Sequence, residues 1–191
     1  MVAQLERQLK TDRLTLKPMS LECFDIFVRD MLTDPNVVEY YHEYRGLFDL
    51  HQIRVRAARD FWEHFQQTRA QTDFEVYSIF EGLQAPVKAA FVGWVGLLQS
   101  ALGERYGGPE LQYMVASRAF GKGYAAEAAL AVLEEARECS LADRIVATVD
   151  IPNRRAIRVL EKLHFERQGK IEAYGNDEMY LYARSLDQIG A

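Results

Sequence analysis

Arg118-Ala119-Phe120-Gly121-Lys122-Gly123 is the stretch whose residue types and spacing point most directly to chemistry. It stands between a segment of strand character ending near Ser117 and an Ala-rich helical segment opening at Tyr124. Two glycines at such a junction let successive backbone N–H groups turn toward one point, and the helix N-terminus adds a partial positive charge of about +0.5. Arg118 and Lys122 add formal charge, so the segment suits a phosphate; a tight turn without a ligand is the plain alternative. Two known phosphate patterns fail on spacing. A P-loop needs a hydroxyl after its lysine, and Lys122 is followed by Gly123. A dinucleotide fingerprint needs a third glycine where Ala126 stands and an acid at the end of the next strand, whereas Asp143 precedes its strand.

The elements that must position this loop are legible from hydrophobic period. Arg13 to Lys17 alternates like a strand covered on one side, Pro18 ends it, and Ser20 then caps a helix carrying Cys23, Phe24, Phe27, Val28 and Met31. Asp49 with Gln52 resembles a capping box, followed by Ile53, Ala57, Phe61 and Phe65 at intervals of four along a helix reaching Gln66. Phe74–Glu81, Val87–Gln99 and Leu111–Ser117 read as an antiparallel meander separated by Gly82, Pro86 and the GERYGGP loop. From Tyr124 a helix turns Ala128, Ala131, Val132, Leu133 and Ala136 inward. Arg144–Ile151 is a strand with Ile145, Ala147 and Val149 on one face and Val146, Thr148 and Asp150 on the other. A helix from Asn153 to about His164 follows, then a hairpin of Phe165–Glu172 and Met179–Arg184 around Tyr174-Gly175-Asn176-Asp177.

The whole chain has 191 residues, 49% of them hydrophobic and 27% charged, which suits one globular domain over residues 1–191 and excludes disorder. A net charge of −5 with no basic block argues against nucleic acid. Cys23 and Cys139 are far apart and lack metal-clip spacing, so no metal is expected. The start MVAQLERQLK is interrupted by charge, and the longest apolar run, Ala89 to Leu98, falls well short of the roughly 20 residues that span a bilayer. A cytoplasmic location and no membrane association are expected.

From Glu110 to Gly169 the text ELQYMVASRAFGKGYAAEAALAVL…RIVATVDIPNRRAIRVLEKLHFERQG resembles the GNAT acetyltransferase superfamily, in its RimJ/RimL-type branch that acetylates ribosomal-protein N-termini. Arg118, Gly121 and Gly123 meet the pattern Q/R-x-x-G-x-G/A, and Asn153 with LEKLHF meets the later strand-Asn-helix element. The resemblance implies an α/β (α+β) fold: a mixed, mostly antiparallel sheet of six or seven strands, about four helices and a splayed central strand pair. It also implies acetyl-coenzyme A as acyl donor. The pyrophosphate would lie on Arg118, Phe120, Gly121, Lys122, Gly123 and Tyr124, and the pantetheine arm would pair with the strand of Met114 and Val115. Asn153 would hydrogen-bond near that arm, unless it only caps its helix, and Arg154 or Arg155 could reach the phosphates.

On this reading a primary amine attacks the thioester directly. A lysine amine of pKa about 10.4 is less than roughly 0.1% neutral at pH 7, an α-amine of about 7.7–8.0 roughly 10%, so a peptide N-terminus asks less of a base. Glu110, Glu172 and Glu178 are the candidate bases, with Glu172 the first choice; a carboxylate base at neutral pH needs burial around it. The family's usual proton donors to the thiolate, a Tyr or Ser on the second helix, are replaced by Leu160 and Ala156, which leaves solvent or Tyr174. The backbone N–H of Val115 could hold the oxyanion. His164 takes the helix-ending place of glycine in a left-handed conformation. The alternative to an enzyme is an acetyl-coenzyme A-binding sensor or interaction module without turnover; an unrelated mixed domain is a third reading. Tyr40, Tyr41, His42, Tyr44 and Arg45 suggest an acceptor pocket for a peptide terminus, small amine or antibiotic, and a homodimer is the commonest assembly to expect.

Overall fold

The computed structural model describes residues 8–41, 44, 46–83 and 90–188. His42 and Arg45 of the Tyr-rich stretch, and Pro86 with the first residues of the expected strand at Val87, lie outside the described residues. Eight strands form one sheet: β1 (Leu9–Lys10), β2 (Leu14–Pro18), β3 (Val76–Glu81), β4 (Phe91–Leu98), β5 (Glu110–Val115), β6 (Arg144–Asp150), β7 (Glu166–Ala173) and β8 (Asn176–Ser185). Their order is β1-β2-β3-β4-β5-β6-β8-β7, antiparallel throughout except for the parallel pair β5–β6. The mixed, mostly antiparallel sheet expected from the resemblance is present, with the two-residue β1 added at its edge.

α1 and α2 start where the sequence supplies a cap. Ser20 accepts from the Cys23 amide to open α1 (Leu21–Asp30), and Asp49 accepts from the Gln52 amide to open α2 (Leu50–Ala57). The helical run continues as a π turn over Ala58–Trp62 into α3 (Glu63–Gln71), five residues beyond the expected end. The π turn explains the four-residue spacing: against a period of 3.6, three intervals of four drift by about one residue, which one wider turn absorbs. Ile53, Ala57, Phe61 and Phe65 are accordingly all buried.

Two readings are corrected. The GERYGGP segment is not only loop, because Ser100 accepts from the Gly103 amide and opens a short helix, α4 (Ala101–Tyr106), which Gly107 ends at φ +83°. β2 is covered on both sides: Thr15 is as buried as Leu14 and Leu16, its hydroxyl donating to the Gly82 carbonyl.

α5 (Tyr124–Glu138) and α6 (Arg154–Lys162) cover one face of the sheet, packing Ala128, Val132, Leu133, Ile157 and Leu160 onto Leu111, Ile145 and Ala147. α1 and the α2–α3 run cover part of the other, where Phe27, Phe61 and Phe65 surround Trp94. His164 has φ +56°, and the Phe165 amide donates to the Leu160 carbonyl, a helix end of the expected left-handed kind. The hairpin turns at Tyr174 and Gly175, with φ of +51° and +75°.

The start of β5 is clamped to β6 by close backbone contact. A Cβ on Gly108 would lie 2.0 Å from the Arg144 carbonyl oxygen, an overlap that only backbone movement could relieve. Gly108→Ala should therefore cost about 2 kcal/mol in urea unfolding; an unchanged midpoint would contradict this clamp. A second tie joins the turn after α1 to the segment after β5, where Asp34 accepts from the Ser117 hydroxyl and the Asn36 amide. Burial alone would raise the Asp34 pKa, but these hydrogen bonds outweigh it and leave it below the ordinary value. A lowered native pKa adds stability at neutral pH that is lost as pH falls through it. Wild-type melting temperature should thus fall more steeply below about pH 4 than that of Asp34→Asn, as thermal scans across pH would show.

Candidate active site

β5 and β6 share one register pair, Glu110 with Val146, supported by the Val146 amide donating to the Pro109 carbonyl at 3.0 Å. Beyond it β5 pairs with β4 through Val115, and β6 pairs with β8 through Asp150. The two strands therefore part into a slit. The Ala116 amide donates to Val92 on β4, and antiparallel pairs alternate, so the backbone groups of Tyr113 and Val115 face away from β4 and into the slit. Met114, between them, is buried on the opposite side of the strand. β4 presses close here: Gly93 has φ +152°, and a Cβ on it would lie 2.2 Å from the Met114 oxygen.

The chain leaves β5 through a 3-10 turn, Ser117–Ala119, and reaches α5 by way of Gly121 (φ +76°) and Gly123 (φ +81°). Both glycines take a left-handed conformation, which a residue without a Cβ adopts at little steric cost and which lets the loop turn. Gly123 is the N-cap of α5, and no side chain caps that helix, which leaves amides of its first turn free to meet an anion. Lys122 pairs with Glu81 at 3.4 Å, and the Tyr124 hydroxyl donates to the same carboxylate at 2.5 Å. The Tyr124 hydroxyl and Lys122 hold the Glu81 pKa below its ordinary value. Two cations that the sequence reading missed stand here: a Cβ on Gly123 would find Arg13 Nη2 at 3.6 Å and Lys162 Nζ at 4.0 Å. Residues so remote in sequence give no local signal.

Other positions chosen from sequence are dispersed around the slit. Arg118 is exposed and turns back to donate to the Phe91 carbonyl. Phe120 lies under the guanidinium of Arg155, 4.6 Å from ring centroid to Cζ, while Arg155 itself pairs with Glu39 and reaches the Asn36 carbonyl at 3.4 Å. Asn153 caps α6, its Oδ1 accepting from the Ala156 amide at 3.1 Å. Tyr113, also unpredicted, spans from β5 to α6, its hydroxyl donating to the Ala156 carbonyl at 3.2 Å; burial pushes its pKa up strongly.

The opposite face of the slit carries a carboxylate. Glu110 is 1% exposed and accepts from four side chains: Ser100 and Gln112 at 3.1 Å each, Thr148 at 2.8 Å, and the Tyr174 hydroxyl. Alternation on β5 and β6 puts Glu110, Gln112 and Thr148 on one face, a grouping the sequence contained. Ser100 and Tyr174 arrive from α4 and the hairpin, which no periodicity announces. Tyr174 is 60% exposed through its ring while its hydroxyl is sequestered, and that burial together with the Glu110 charge drives its pKa far up. Glu172 is exposed on β7 and makes no hydrogen bond or ion pair among the described residues, and Glu178 is occupied by Lys170 at 2.9 Å. A cavity of about 540 Å³ lies toward the far end of α5, lined by residues such as Asp73, Glu104 and Cys139 and by none of the predicted site positions.

Among the described residues no helix is long and apolar enough to cross a membrane, and no cluster of three His, Cys, Asp or Glu side chains could hold a metal ion. Comparison with known proteins agrees with this architecture. The chain is 28% identical over 177 residues to YkkB, an uncharacterised protein of Bacillus subtilis, covering 93% of this chain and 95% of that one. An acetyltransferase from Agrobacterium tumefaciens superposes with a TM-score of 0.72 at 22% identity, covering 93% and 94% of the two chains. RimJ from Mycobacterium smegmatis, solved in complex with a coenzyme A disulfide, superposes with a TM-score of 0.65 at 22% identity, covering 93% and 84%. Residues 13–166 match the family model of the acetyltransferase (GNAT) domain, and the chain belongs to that family.

Proposed function

We propose that this protein transfers the acetyl group of acetyl-coenzyme A to a primary amine by direct attack. The observation that carries the reading is a slit with different chemistry on its two sides. A row of unpaired backbone groups and a phosphate-ready loop adjoin α5 and α6, and a buried carboxylate faces the other way. A thioester threaded along β5 would present its carbonyl to an amine arriving past Glu110, without a covalent enzyme intermediate. The coenzyme A complex of the similarly folded RimJ supports the choice of donor.

Within this proposal Gly121, Gly123 and the amides at Tyr124 take the diphosphate, with Lys122 and Arg118 swinging from Glu81 and Phe91 to add charge. Phe120, gripped by Arg155, walls the loop, and Arg155 would have to leave Glu39 to touch phosphate. The backbone groups of Tyr113 and Val115 pair with the amides of the pantetheine arm, beside Met114. The Val115 N–H turns to the oxyanion, and Asn153 keeps its cap while its amide nitrogen serves the arm.

Glu110 is favoured over Glu172 as the base because it is buried at the β5–β6 junction from which the slit opens, whereas Glu172 stands exposed on β7. Glu110, separated from Val115 by five residues of strand or roughly 16 Å, takes the ammonium proton through a chain of waters as the amine adds to the thioester carbonyl. The tetrahedral intermediate collapses with cleavage of the C–S bond, and the thiolate of coenzyme A leaves to be protonated from solvent. Tyr174, whose hydroxyl is committed to Glu110, seats the base rather than serving the thiolate. The two free cysteines fit a reducing cytoplasm.

Following thiol release with acetyl-coenzyme A and a panel of peptides and small amines tests the reading. Saturable, acceptor-dependent release is expected; a folded sample that binds the donor yet transfers to no acceptor would favour the sensor alternative. Glu110→Gln should lower kcat about 10²- to 10⁴-fold and leave coenzyme A affinity within about two-fold. Tyr174→Phe should lower kcat by about ten-fold or less, since three donors to Glu110 remain. Full activity in Glu110→Gln would remove Glu110 from the mechanism.

A further inference from the structure

The first turn of α5 contains Glu127, one turn beyond Gly123. A carboxylate there gains from the helix dipole, but it competes for the same positive end that a bound diphosphate would use. Both its oxygens are tied away toward β2. Oε1 accepts from the Thr11 hydroxyl at 2.5 Å and the Arg13 amide at 3.0 Å, and Oε2 accepts from Arg13 Nε at 2.8 Å and meets Nη2 at 2.5 Å. Burial works against ionisation of Glu127, yet these contacts outweigh it and keep its pKa below the usual carboxylate value. The remaining nitrogen of the same guanidinium, Nη1, donates to the Lys122 carbonyl at 3.0 Å, and Cζ sits 4.8 Å from the Tyr124 ring centroid.

We propose that Arg13 is a positioning residue for the acyl donor: one guanidinium neutralises Glu127 and draws the Lys122 carbonyl aside, so that the loop presents an anion with amides and cations only. The inference rests on the acetyl-coenzyme A reading of the loop and deepens it. The fork geometry matters, because a single planar group must bond a carboxylate edge and a carbonyl in different directions. Without Arg13, Glu127 would stand as an uncompensated negative charge within a helical turn of the phosphates and repel them, over a distance at which screening is incomplete.

The test is coenzyme A binding by titration calorimetry to wild type, Arg13→Gln, Glu127→Gln and the double variant, at low and high salt. Arg13→Gln should raise Kd about ten-fold, and adding Glu127→Gln should bring it back to within about three-fold of wild type. Glu127→Gln alone should bind no more weakly than wild type within the same factor. The ratio between Arg13→Gln and wild type should shrink at 0.5 M salt, about five times the ionic strength at which the Debye length is ~10 Å. A double variant as weak as Arg13→Gln, or a ratio insensitive to salt, would mean that Arg13 only pins the turn before β2 to α5, and would overturn the proposal. If Arg13→Gln does not fold, Arg13→Lys decides in its place: its loss should be smaller at low salt and again relieved by Glu127→Gln. If wild type binds no coenzyme A, the functional reading fails and takes this inference with it; binding without rescue defeats the inference alone.

Discussion

The parting of β5 and β6 after a single register pair is the constraint on which the rest of the structure depends. A parallel pair inside a sheet normally satisfies its backbone groups along its full length, and leaving several open beside a core is costly unless something else bonds them. Here the strands are held together at one end by the backbone contact at Gly108, and beyond Glu110 and Val146 they share no further register pair, while each keeps its antiparallel partner on its other side. Tyr113 crosses from β5 to α6 with its side chain, which ties the strand to the helix that follows β6.

Charge is organised around the same slit. The protein is acidic overall, yet Arg13, Lys122 and Lys162 gather around the glycines that open α5. Acidic neighbours of that loop are each engaged, Glu81 by Lys122 and Tyr124, and Glu127 by Thr11 and Arg13. On the other face the buried carboxylate of Glu110 is surrounded by hydroxyl and amide donors and has no cationic partner among the described residues. One side is thus suited to an anion and the other to a proton-bearing cation, which is the polarity that acyl transfer from a phosphorylated carrier to an amine requires.

The fold and the loop were legible because their signals are local. Gly121 and Gly123 announced a turn between strand and helix, Asn153 and Ser20 announced caps, and alternation in RIVATVDI placed Ile145 and Val146 on opposite faces. The proton-handling side was less legible, because it is assembled from remote pieces. Glu110 could be picked out as a residue type, but nothing in sequence brings Ser100 and Tyr174 to it. Glu172, the first choice from sequence, stands in water on β7. Arg13 was legible as the start of a strand and not as a neighbour of Gly123, since that contact exists only once the edge of the sheet meets α5.

Donor pairing with the open backbone groups of β5 is the central claim, and amide hydrogen exchange at Tyr113 and Val115 reports on those groups directly. In the free protein these two amides should exchange faster than those of Gln112 and Met114, which bond β4, and saturation with acetyl-coenzyme A should slow them by about ten-fold or more. Protection already complete in the free protein, or exchange unchanged at saturation, would contradict it.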